Sequence, residues 1–134
     1  MIAKTVKNFN SEDPFKNKLT PISADWEEDS RFVKDLFAYT VKNDAAYQEL
    51  IAERTKNWEP ERIALMDTIL MKMAICEMMN FPSIPVKVTI NEYLEIAKEF
   101  STPKSNSFIN GILDKILDDL KADGKIRKYG RGLL

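Results

Sequence analysis

The stretch Ile63–Met79 constrains this chain most. Thirteen of its seventeen residues are apolar, and the exceptions, Asp67, Thr68, Lys72 and Glu77, fall at scattered angles around a helix. A helix that is apolar on all sides belongs inside a bundle. A membrane span needs roughly 20 predominantly apolar residues, and this run is shorter and carries three charges. The expectation is a central helix over Arg62–Met79, wrapped by the others.

The flanking sequence supplies those others. Residues 1 to 24 carry isolated apolar side chains (Phe9, Phe15, Leu19, Ile22) among Asn, Ser, Asp and two prolines, and read as an extended N-terminal arm. A first helix begins near Asp25, where Glu27, Glu28 and Asp29 suit the positive end of a helix dipole. Phe32, Val33, Leu36, Phe37 and Thr40 follow on one face. Asn43 is placed to cap a second helix carrying Tyr47, Leu50, Ile51 and Arg54 and ending near Asn57. Pro60 fits the first turn of the central helix.

The prolines of Phe81-Pro82-Ser83-Ile84-Pro85 then force a constrained connection. Val86–Ile90 alternates as a strand would, but the chain offers no second strand to pair with it. The helical spacing of Ile90, Tyr93, Leu94, Ala97 and Phe100 favours a helix from the start. A last helix, capped near Ser105, carries Phe108, Ile112, Leu113, Ile116, Leu117 and Leu120 and stops at Gly124. Gly111 inside it marks a close helix approach or access to a ligand. The sum is all-α: a bundle of about five helices at 25–124, preceded by the arm and followed by a basic C-terminal tail at 125–134.

Inventory removes many functions. The chain has no histidine and one cysteine, Cys76, which lies in the most apolar stretch and reads as a small buried hydrophobe. Histidine triads and histidine or zinc-knuckle metal sites are therefore excluded. Glu92, Glu95 and Glu99 share a helix face, but Lys98 interleaves them and a solvated face is the simpler reading. Without a phosphate-binding glycine loop or a nucleophile motif, the chain reads as non-catalytic, with no cofactor and no metal. A lone thiol and the absence of a signal-type apolar core in MIAKTVKNFN point to the cytoplasm.

Twenty basic against twenty-one acidic residues give no global signal for nucleic acid. Locally, Lys87, Lys104, Lys115 and the tail bases Lys125, Arg127, Lys128 and Arg131 accompany Phe108, Asn91 and Asn110. Cations for phosphates with aromatics and amides for unstacked bases suit single-stranded RNA. The same residues also read as a core Phe108, helix-bridging amides and a disordered solubilising tail.

A longer pattern bears on that choice. Pro85, Val88, Ile90-Asn91-Glu92, Ala97-Lys98, Phe100 and Phe108-Ile109-Asn110-Gly111-Ile112-Leu113-Asp114-Lys115 resemble, in order and separation, the signature of the NusB family of bacterial transcription antitermination factors. Asp67, Ile69-Leu70, Lys72, Ala74 and Glu77 resemble the family's central-helix pattern, lysine replacing the usual arginine. The resemblance spans roughly residues 30 to 120. It implies a NusB-like all-helical fold and the binding of a boxA-like RNA together with a NusE-type ribosomal protein, within the RNA polymerase antitermination complex. It places Lys87, Lys104, Ser105, Phe108 and Asn110 near the RNA-facing edge, and Asp67 where the central helix start meets RNA or the protein partner.

Family members usually open with an arginine-rich helix and a second helix, whereas this chain has no arginine before Arg31. The resemblance therefore implies a fragment of a longer variant or a lineage without those helices. A bundle short of two helices exposes apolar surface and tends toward a homo-dimer. The competing functional reading is a helical protein-interaction module without RNA binding.

Overall fold

A computed structural model describes residues 24–134. The expected arm lies outside the described residues except at Ala24. Five helices follow: α1 (Trp26–Lys42), α2 (Asp44–Arg54), α3 (Leu65–Asn80), α4 (Val86–Phe100) and α5 (Ser105–Ala122), with short 3-10 turns at Pro60–Arg62 and Gly130–Leu133. No strand occurs among the described residues. The chain divides into two units after Asp35. In the first, Asp25 Oδ1 accepts the Glu28 N–H at 3.1 Å, an N-cap bond that opens α1 ahead of its acidic first turn. Everything below concerns the second unit, Leu36–Leu134.

Three boundaries differ from expectation. Asn43 does not cap α2; its side-chain amide donates to the Tyr39 carbonyl at 2.9 Å and closes the end of α1. Its backbone (φ −106°, ψ 18°) stays near the helical region, whereas an N-cap needs an extended residue whose side chain turns forward. Pro60 opens the separate 3-10 turn rather than α3, because Ile63 and Ala64 are extended and delay the helix to Leu65. The second helix ends at Arg54, three residues before Asn57. Val86–Ile90 is helical as expected, with extended Pro85 (φ −60°, ψ 141°) at the capping position.

The core is built on α3, which packs against α2, α4 and α5. Met71, Ala74, Ile75, Cys76 and Met78 are wholly inaccessible on α3, and Ile109, Leu113, Ile116 and Leu120 form the matching stripe on α5. The first turns of α3 are different: Leu65 is 76% exposed and Ile69 42% while Asp67 is buried, so one side of the helix start is open and the helix is wrapped on the other sides. Phe37 of α1, expected on the apolar face, is also exposed, while Leu36 beside it is buried. Gly111 faces solvent, and a Cβ added there would meet no atom within 4 Å. It therefore marks no close helix approach. Its cost in the helix, about 1 kcal/mol, is small beside the roughly 2–5 kcal/mol that truncating one core leucine such as Leu113 would cost. Among the described residues no helix is long and apolar enough to cross a membrane.

The segment after α5 is ordered against the end of α3. Gly124 (φ +68°) stops α5 with two bonds, Lys125 N–H to Leu120 O at 2.9 Å and Gly124 N–H to Lys121 O at 3.1 Å. These form a Schellman motif. Lys128 then donates to the carbonyls of Phe81 (2.8 Å) and Glu77 (3.4 Å), placing a cation at the negative pole of α3. Beneath it the Glu77 carboxyl is buried. Burial pushes its pKa up, against the lowering effect of Thr89, Lys128 and Tyr93, with Glu92 adding a further rise. Glu77 Oε2 has no hydrogen bond of regular geometry.

A carboxyl whose folded pKa is raised binds its proton more tightly in the native state, so stability falls as pH climbs from the unfolded value, 4.5, through the folded one. Glu77→Gln should therefore melt higher than the native protein at neutral pH. The gap should close as pH falls to 4.5. Paired thermal melts across that range check it; a constant gap would contradict it.

Candidate nucleic-acid interface

The site is organised by a buried carboxylate. Asp67, in the first turn of α3, is 4% exposed and accepts hydrogen bonds from Ser101 Oγ at 2.5 Å and Ser105 Oγ at 2.8 Å. Ser105 Oγ in turn accepts the Thr102 N–H at 3.1 Å and lies 2.8 Å from Thr102 Oγ1. One carboxylate thus pins the whole α4–α5 break to the start of α3. The residues between the two serines, Thr102, Pro103 and Lys104, stay exposed.

Beside this break opens a cleft of about 610 Å³, within the range of small-ligand sites. Phe108 and Trp58 line it side by side, packed edge-on against each other with ring centroids 5.0 Å apart. Trp58 is 51% exposed and Phe108 half-buried, so the pair is a surface feature and not core. Arg62 and Lys104 also line the cleft. Arg62 carries an exposed ion pair to Glu59 at 3.0 Å. Such a pair is worth little and yields readily to a stronger anion.

A second cleft, of about 650 Å³, lies on the opposite side of α5, between α4, α5 and the segment from Ile126 to Leu134. Lys87, Asn91, Asn110, Lys121 and Lys128 line it, with Asp114 the single acidic side chain. The expected residues therefore divide. Asp67, Lys104, Ser105 and Phe108 meet at the first cleft, Lys87 and Asn110 at the second. Phe108 and Asn110 are two residues apart, which on an α-helix is about 200° of rotation. Neighbours in sequence, they face opposite ways.

Asp67 and Ser105 also differ from the other four in being buried and bonded to each other. Their polar atoms hold the site's frame. Sequence reading missed Trp58 and Arg62. The signal was an aromatic and a cation flanking Glu59-Pro60-Glu61, read there only as the entry to a helix. Elsewhere, Arg54 grips Asp119 of α5 through both carboxylate oxygens and holds it below the usual carboxylate range. The Glu92, Glu95 and Glu99 face is exposed, with Lys98 bonded to Glu95 at 3.0 Å. Among the described residues no group of histidine, cysteine, aspartate and glutamate is arranged to hold a metal ion.

The NusB family model matches residues 3–118, which include all the residues that line the first cleft. The chain belongs to the NusB family. Two relatives, each a transcription antitermination protein NusB, are similar over 103 residues, 77% of this chain. That of Salinibacter ruber is 44% identical with 64% of its length covered, and that of Chloroherpeton thalassium 42% identical with 49% covered. The chain thus spans about half to two thirds of the length of these relatives. The solved structure of T. maritima NusB matches with a TM-score of 0.65 at 29% identity, over 69% of this chain and 66% of that one. The NusB match stops at 118, so the end of α5 and the segment packed on α3 lie beyond it.

Removing the Asp67 carboxylate would leave the Ser101 and Ser105 hydroxyls unpaired in a buried place, which typically costs about 1–3 kcal/mol. Asp67→Ala should lower the urea unfolding free energy by that amount. Ser107→Ala, an exposed change on the same cleft, should leave it unmoved.

Proposed function

We propose that this NusB-family chain is a non-catalytic RNA-binding transcription antitermination factor that holds a boxA-like single strand together with a ribosomal protein in the NusE role on the transcribing polymerase. The Trp58–Phe108 pair carries the reading. Two aromatic rings open to solvent, with cations at hand and a fixed polar break beside them, suit an unstacked base and its flanking phosphates. Lys104 and Arg62 take phosphates, while the Ser107 hydroxyl is available to a base edge. Asp67 and Ser105 act by positioning, since their polar atoms are spent on each other. Lys87 and Asn110 serve the second cleft, one on phosphate and one on a base. The exposed start of α3, with Leu65 and Ile69 close to Asp67 in sequence, is the face we assign to the protein partner.

The two clefts are joined over α5 at Gly111. It falls between Phe108 and Asn110 on the exposed arc of the helix, and its missing side chain leaves the crest low enough for a strand to cross. Gly111→Leu should stabilise the helix by just under 1 kcal/mol, because leucine is a far better helix former. It should nevertheless weaken RNA binding. Stability and affinity moving in opposite directions is the expected signature; both rising together would remove the crossing.

The direct test is titration with a boxA-like single-stranded RNA at two salt concentrations, read by tryptophan fluorescence. The chain has two tryptophans, so a Trp26→Phe background isolates Trp58. RNA should quench Trp58, and affinity should fall with salt. Phe108→Ala should weaken binding about tenfold or more, the value of one aromatic stack at about 1–3 kcal/mol. Lys104→Glu should weaken it further at low salt. Unchanged affinity in both variants would overturn the reading.

A further inference from the structure

We infer that the segment Lys125–Leu134 is an RNA-binding strap that extends the interface past the part covered by the NusB family model. This rests on the RNA reading above and adds to it a contact surface beyond the residues the family model matches. The inward side of the strap is fixed at three points. Lys128 donates to the Phe81 and Glu77 carbonyls, the Tyr129 N–H bonds to Pro82 O at 3.2 Å, and Gly132 is buried so tightly that an added Cβ would lie 1.8 Å from the Pro82 oxygen.

With those points fixed, the other side faces outward. Ile126 and Lys128 are partly buried, while Arg127, Tyr129 and Arg131 are exposed, Tyr129 at 64%. Among the described residues neither arginine makes an ion pair. Two unpaired guanidinium groups flanking an exposed aromatic ring form a phosphate–base–phosphate pattern. It is suited to a single strand and tolerant of sequence.

Rigidity gives the pattern its worth. A loose basic tail loses conformational entropy when it binds, whereas this strap is already ordered by its contacts with α3 and the Phe81–Pro85 turn. It also borders the second cleft, where Lys87 and Lys121 continue the positive surface. Arg127, Tyr129 and Arg131 lie outside the lining of that cleft, so a strand has to pass over the strap to meet them. In the second cleft three lysines, Lys87, Lys121 and Lys128, face one acidic side chain, Asp114, and that excess of positive charge favours RNA.

The test uses the full chain and the triple variant Arg127→Ala, Tyr129→Ala, Arg131→Ala, which leaves Lys128 and Gly132 in place. Two single-stranded RNAs are titrated: a short one that occupies the Trp58–Phe108 cleft alone, and a longer one extended at both ends. The native chain should bind the longer RNA more tightly and with a steeper salt dependence. The triple variant should bind the short RNA unchanged, lose at least tenfold on the longer one, and show a logarithmic salt slope smaller by about 1.4, the equivalent of two phosphates on a single strand. An unchanged slope and affinity for the longer RNA would overturn the strap while leaving the cleft reading intact. If neither RNA binds the native chain, the proposed function falls and the strap with it. If the triple variant instead loses a NusE-type ribosomal protein and keeps RNA, the strap is a protein-binding surface and the inference is wrong.

Discussion

The candidate interface depends on one buried negative charge. Asp67 would be costly to bury alone, since a carboxylate away from water needs hydrogen bonds to offset its lost hydration. Ser101 and Ser105 supply them, and a charged acceptor makes those bonds stronger than neutral ones. The carboxylate also sits in the first turn of α3, at the positive end of the helix dipole. Three elements are thereby fixed to one atom group: the start of α3, the end of α4 and the start of α5. The exposed Thr102-Pro103-Lys104 run and the placement of Phe108 against Trp58 both follow from that fixation. Preorganised contacts of this sort lower the ordering cost of binding.

A second polar anchor sits at the far end of α3, and its logic is different. Glu77 is held mostly by burial against its preference, with its pKa pushed up, while Lys128 is pushed down by burial and drawn up again by Glu77. Such an arrangement contributes little to net stability, because desolvating both partners offsets much of their attraction. What it specifies is position. Lys128 satisfies the last carbonyls of α3, and in doing so it holds the following segment along the Phe81–Pro85 turn. The two ends of α3 thus govern the two clefts, Asp67 the first and the Glu77–Lys128 pair the second.

The fold was legible because its signals were long. A run apolar on every side, a stripe repeating at three and four residues in α5, and prolines between α3 and α4 each leave few alternatives. The boundaries were not legible where a short-range choice decided them. Asn43 carries a capping residue's chemistry for either neighbour, and only the backbone angle at that single position chooses between them. The family pattern in residues 84 to 116 points to most of the candidate interface, since Phe108 lines one cleft and Lys87, Asn91 and Asn110 the other. It did not divide the interface, because a linear motif on a helix mixes residues that face opposite ways. Trp58 was invisible for another reason: its partner Phe108 is fifty residues away, and nothing in the local sequence tells an exposed aromatic from a packed one.

Charge distribution joins these points. A nearly neutral chain cannot attract RNA as a whole, so any electrostatic affinity has to come from cations concentrated where acids are absent. Four acids are paired elsewhere: Asp119 with Arg54, Asp44 with Lys72, Glu53 with Lys56 and Glu95 with Lys98. Those pairs lie away from the two clefts, and Arg62–Glu59 is the exception at the rim of the first. Lys87, Lys104, Lys121, Arg127 and Arg131 are left without ion pairs among the described residues. Their charge is screened over about a Debye length, near 8 Å at physiological salt. Only a ligand that follows the surface closely can therefore use more than one of them, and a flexible single strand is such a ligand.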